Sequence, residues 1–128
     1  MSYYFAKTVA GSFAGTVDKA VAQLKQQGFG VLTEIDVQAT LKQKLGVEVR
    51  PYRILGACNP ALAHRALSAE DKIGVMLPCN VIVQDVGGGN VEVAAINPLA
   101  AMEKVGNPAL EEIASEVAGK LKRVIESL

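Results

Sequence analysis

Apolar residues recur along this chain with two periods, near 2 and near 3.6, and the switches between them mark its elements. Residues 3–9, YYFAKTV, read as a strand, and Gly11 and Ser12 break it. From Phe13 to Gln27 the spacing turns helical: Phe13, Val17, Ala20, Val21 and Leu24 fall on one face. Ser12 is placed to cap that helix and Gly28 to end it in a left-handed conformation. FGVLTEID, about 29–36, predicts a second strand. Asp36 can cap a short helix, VQATLKQKL, that stops at Gly46. VRPYRILGA, about 49–57, predicts a third strand, with Pro51 near its start, where a missing donor is tolerable.

The next helix has a sharp beginning. Asn59 is a strong N-cap and Pro60 a strong first residue, which predicts a helix over 60–69. Pro78 closes the loop that follows. VIVQDV and VEVAAI, 81–86 and 91–96, flank Gly87-Gly88-Gly89-Asn90, a hairpin loop whose glycines can take positive φ. The same glycines could cradle a phosphate, but no helix and no Lys-Ser/Thr pair follows, and the hairpin reading is preferred. The last helix is the clearest. Asn107 caps it, Pro108 opens it, and Leu110, Ile113, Val117, Leu121, Val124 and Leu128 make one apolar stripe. Glu111 and Glu112 near its start and Lys120, Lys122 and Arg123 near its end agree with the helix dipole.

The order β-α-β-(α)-β-α-β-β-α predicts one α+β domain over residues 1–128, a two-layer sandwich whose sheet contains antiparallel strands and carries helices on one face. The strands add a detail. In 81–86, Val81 and Val83 point one way and Ile82 and Val86 the other; in 91–96, Val91 and Val93 oppose Ala94 and Ile96. In 3–9, Tyr3 and Phe5 share a face and Tyr4 takes the other. A sheet with a wet face should show polar residues there, and these strands do not. The expected cover is a second copy, in a symmetric homodimer.

Composition sets the limits. With 128 residues, half of them hydrophobic and 20% charged, the chain is long and apolar enough to fold on its own core. Thirteen basic and thirteen acidic residues cancel, which argues against a nucleic-acid or anionic-membrane binder and leaves little repulsion between copies. MSYYFAKTVAG lacks the basic start and continuous apolar run of a signal peptide, and no stretch is long and apolar enough to span a membrane. A cytoplasmic location is expected, with Cys58 and Cys79 as thiols rather than a structural disulfide.

Most of the candidate chemistry lies between Ile54 and Arg65. Cys58 ends a strand one residue before an N-cap, where helix amides and the dipole favour a thiolate or an anion, and Gly56 permits close approach. His64 falls about 130° from the helix's apolar stripe and is expected at the boundary or in solvent. Cys79 follows Leu77-Pro78, where a loop enters a strand. Both cysteines also suit small core positions. A Cys58–His64 nucleophilic pair is geometrically poor, because His64 lies more than a turn along the helix. One His and two Cys could supply three metal ligands, but they lack CxxC or HxxxH spacing, and no metal site is assigned. Glu34 and Asp36 share a strand face as a possible acid-base pair, although Asp36 also serves as a cap. Tyr3, Tyr4, Tyr52 and the three phenylalanines read as packing in the core or at the dimer face. No nucleotide-binding, nucleophile-elbow or zinc-protease motif is present, and the residues name no cofactor either way.

Three segments carry a resemblance: Gly28-Phe29-Gly30-Val31-Leu32-Thr33-Glu34-Ile35-Asp36, Ile54-Leu55-Gly56-Ala57-Cys58-Asn59-Pro60 and Leu77-Pro78-Cys79-Asn80-Val81. At these spacings the chain resembles the DUF302 family of small bacterial and archaeal proteins. The resemblance implies a single α+β domain with a β-α-β4-α-like core, often dimeric, and no established activity. It places Cys58, Asn59, Pro60 and Cys79 on signature positions and leaves His64 outside them.

Three functions are compatible with these residues. The leading expectation is a dimeric small-ligand or anion-binding module, its pocket at the Cys58-Asn59-Pro60 junction, with Cys58, Asn59, His64 and Cys79 as ligand-binding candidates. The alternatives are a thiol-dependent enzyme or redox-responsive protein, with Cys58 as the candidate catalytic residue and Cys79 resolving, and a structural or assembly protein whose cysteines only pack.

Overall fold

The computed structural model describes all of residues 1–128. Five strands form one antiparallel sheet: β1 (Tyr4–Ala10), β2 (Gly30–Asp36), β3 (Tyr52–Cys58), β4 (Cys79–Gly87) and β5 (Asn90–Ile96). Their order across the sheet is β1-β5-β4-β3-β2, so the first two strands in sequence form its two edges. Helix α1 (Phe13–Gln26) joins β1 to β2 and α2 (Val37–Leu45) joins β2 to β3. Helix α3 (Pro60–Ala69) leads through a 3₁₀ turn at 71–76 into β4. After β5 come the short helix α4 (Pro98–Met102) and the long α5 (Pro108–Glu126). This is the α+β sandwich that the apolar periodicity predicts. No helix is long and apolar enough to cross a membrane.

Local chemistry sets the boundaries. Ser12 accepts from the Gly15 N–H and Asp36 from the Ala39 N–H, as their positions suggest. Asn59, Asn97 and Asn107 each cap a helix whose first residue is proline. The second of these, Asn97-Pro98, starts α4, which the periodicity does not reveal because five residues are too few to show a stripe. The Asn107 Nδ2 also donates to the Ala69 carbonyl at 2.9 Å, tying the start of α5 to the end of α3. The hairpin is tighter than expected. Gly87 pairs with Asn90, leaving Gly88 and Gly89 as a two-residue turn with φ of 65° and 79°. Two successive positive φ values suit glycine and match the right-handed twist of the flanking strands.

The core lies between the helices and one sheet face. Leu55, Val81, Val83, Val91 and Val93 line that face, and Leu24, Leu110, Leu121 and Val124 meet them from α1 and α5. Phe5 packs against the same core from β1. The register assigns the other face. Tyr52 pairs with Gln84, Ile54 with Ile82, Ile82 with Ala94, and Ile96 with Tyr4. Tyr4, Ile35, Ile54, Ile82, Ala94 and Ile96 are all exposed or half-buried there, while α1, α3, α4 and α5 pack into the core on the opposite face. Glu92, held by the Gln84 amide at 2.9 Å, is the one charged side chain that the paired positions of β3, β4 and β5 present on this face.

Candidate functional site

Strand β3 carries its chain out of the sheet core and stops at Cys58, where the Asn59 cap starts α3. Helix α3 turns its Leu62 and Ala66 toward the interior, and α5 lies beside it. Because α3 presents alanine at 63 and 66, its side chains do not reach the neighbouring helix everywhere. A cavity of about 300 Å³ results. Its walls are α3, the first half of α5, the ends of β3 and β4, and Met102 of α4. Leu32 and Leu67 line it while remaining 69% and 43% exposed, so they sit at its opening. Fifteen of the eighteen lining residues are hydrophobic and none carries a charge.

The two cysteines meet at this cavity. Cys79 pairs directly with Ala57, and Cys58 is the next residue along β3. Both line the space, Cys58 half-buried and Cys79 buried, and both are free thiols. Burial, with a smaller contribution from the neighbouring Cys58, pushes the Cys79 thiol up to about 11. Cys79 is therefore a protonated, apolar wall residue at neutral pH and a slow nucleophile there.

Asn59 also lines the cavity. Its Oδ1 accepts from the Leu62 N–H at 3.3 Å and its carbonyl from the Ala63 N–H at 2.9 Å. Pro60 has no N–H. The first turn of α3 thus keeps one backbone donor free, at Ala61, and the Asn59 Nδ2 has no protein acceptor. Gly28 borders that amide: a Cβ there would lie 3.0 Å from Nδ2, and its φ is +85°. Gly56 is sterically required. A Cβ on it would fall 2.1 Å from the Thr33 Oγ1 and 2.8 Å from the Pro78 Cγ, so β2 and the Pro78 turn close over this position.

His64 is exposed on α3, as its helical angle predicts, and it is not a wall of the cavity. The structure brings Cys58, Asn59 and Cys79 together and leaves His64 apart from them. Glu34 and Asp36 do share a face, and Arg53 holds both, at 2.6 Å and 3.8 Å. The Asp36 carboxylate also caps α2, so this pair is an ion-paired structural cluster rather than an acid-base pair. No group of three or more His, Cys, Asp or Glu side chains is arranged to hold a metal. The apolar contributors from α5, Leu110 and Ile113, carry no chemical motif and are marked as inward-facing only by their helical periodicity, and Met102, on the short α4, carries no sequence signal at all. A second, shallower concavity of about 410 Å³ lies on the uncovered sheet face, between Tyr4, Tyr52 and Ile82.

No curated protein matches the chain. The crystal structure of an uncharacterized conserved DUF302 protein from Bacillus stearothermophilus superposes with a TM-score of 0.90, is 29% identical, and each chain covers 98% of the other. The model of the domain of unknown function DUF302 matches residues 5–128. Those matched residues run from the first strand to the last residue of the chain and include Cys58, Asn59, Pro60 and Cys79. The chain belongs to the DUF302 family.

Proposed function

We propose that this protein is a binding module for a small, largely apolar molecule, held in the cavity between α3, α5 and the ends of β3 and β4. The observation that carries this reading is the lining: an opening to solvent, a 300 Å³ interior and no charged wall. Ligand sites are concave, mostly apolar and equipped with few polar groups. Here those groups are Asn59, Cys58 and Cys79. An anion has less to hold it, because the Asn59 cap and Pro60 occupy or remove most of the first-turn donors of α3. Thiol chemistry is the weaker reading, because a resolving Cys79 would have to ionise against its own burial.

Titration with Nile red tests the reading. The protein should bind one dye per chain with blue-shifted emission. Ala63→Phe, which fills the opening from a half-buried position, should abolish that signal while circular dichroism is unchanged. Saturable binding that Ala63→Phe leaves intact would contradict the assignment.

We further propose that the uncovered sheet face mates with a second copy. Five strands about 4.8 Å apart and about seven residues of about 3.3 Å each make a face of roughly 500 Å², so a face-to-face pair buries roughly 1,000 Å² or more, enough for a specific interface. The balanced charge of the chain opposes this association little. A polar single-layer surface would instead be expected if the face met only water.

A further inference from the structure

We infer that the occupant of the cavity is an uncharged single-chain amphiphile, with a tail of about ten to twelve carbons inside and an oxygen acceptor at the opening. The inference rests on the apolar-ligand reading above and narrows it. A cavity of about 150 Å³ accommodates benzene, six carbons. On that scale the 300 Å³ here holds about twice as many. Apart from the Cys79 thiol, the buried walls, Met102, Leu110 and Ile113 among them, offer no polar partner. Besides the two thiols, the one polar side chain of the lining is the half-buried Asn59, whose Nδ2 is a donor with no protein acceptor. Leu32 and Leu67 extend the apolar wall outward to solvent, so a chain entering there stays in contact with apolar surface along its length. A charged head would find no counter-charge among the lining residues, which favours a ketone, ester, amide or alcohol over a carboxylate. One end buried in apolar wall and one end at a single amide donor describe an amphiphile rather than a flat aromatic ring or a sugar.

The test is a series of 2-alkanones from six to fourteen carbons, measured by displacement of Nile red, beside the carboxylate of equal length at pH 8. Affinity should rise about three- to fourfold for each added methylene. It should level off near ten to twelve carbons, with each ketone binding more tightly than its carboxylate. Asn59→Asp keeps a strong helix cap and removes the amide donor. It should weaken the ketones at least fivefold with an unchanged melting temperature. Nile red binding without dependence on chain length, a plateau at six carbons, or preference for the carboxylate would overturn the amphiphile and leave the apolar cavity standing. Failure of Nile red and of every ketone to bind would remove both.

Discussion

Cys79 stands directly opposite Ala57 across the β3–β4 ladder, on the helix-covered face of the sheet, with Cys58 one residue further along at the strand end. That relationship puts a buried thiol and a half-buried thiol on one cavity wall.

The buried thiol ties stability to alkaline pH. Burial holds the folded Cys79 thiol up at about 11, above the 9.0 of a solvated thiol. The folded state therefore keeps a proton that the unfolded chain releases sooner. The stabilisation is complete below pH 9 and is lost as pH rises from 9 toward 11. A shift of that size corresponds to roughly 2–3 kcal/mol. Urea denaturation from pH 8 to 11 should show a steeper loss of stability for the native sequence than for Cys79→Ala. Parallel curves would show that Cys79 does not hold its proton in the fold.

Access should separate the two thiols. In native protein at pH 8, iodoacetamide should modify Cys58 first and reach Cys79 only on unfolding, because Cys79 is 8% exposed and protonated there. Peptide mass mapping over time reads the order. Equal rates at the two positions would contradict the burial described here.

The Gly56 contact makes a packing prediction. Gly56→Ala drives a methyl group into Thr33 and Pro78. It should cost about 1–3 kcal/mol in chemical denaturation. Thr33→Ala removes the nearer atom, so the double variant should recover part of that loss, with Pro78 retaining the rest. A Gly56→Ala protein as stable as the native chain would show that Thr33 and Pro78 do not close over Gly56.

The uncovered sheet face predicts the oligomer. Light scattering behind gel filtration should give a dimer at micromolar concentration. Ile82→Glu, which places a charge in the middle strand of that face, should give a folded monomer. A native monomer, or a dimer that Ile82→Glu does not disturb, would contradict the pairing.

Much of this architecture is legible in the chain. Asn59-Pro60 and Asn107-Pro108 announce their helices because the cap and the fixed φ of proline act within two residues. Alternation in 81–86 and 91–96 separates the core valines from Ile82, Ala94 and Ile96 because a strand has a strict period of two. Cys58, Asn59 and Cys79 are singled out by position, and the register brings them to one wall. The cavity itself is not legible. It depends on the gap between α3 and α5, set by Ala63, Ala66 and Ala114, and small residues read equally well as close packing. The Arg53 link between Glu34 and Asp36 is hidden for a similar reason, since its partners come from a different strand.

A crystal structure of the protein under xenon pressure would show whether the space between α3 and α5 is open, because xenon occupies apolar cavities without needing polar partners. Xenon density should appear between Leu62, Ala66, Cys79 and Ile113. A cavity free of xenon and closed by the side chains of Leu77 or Met102 would contradict the binding-site assignment.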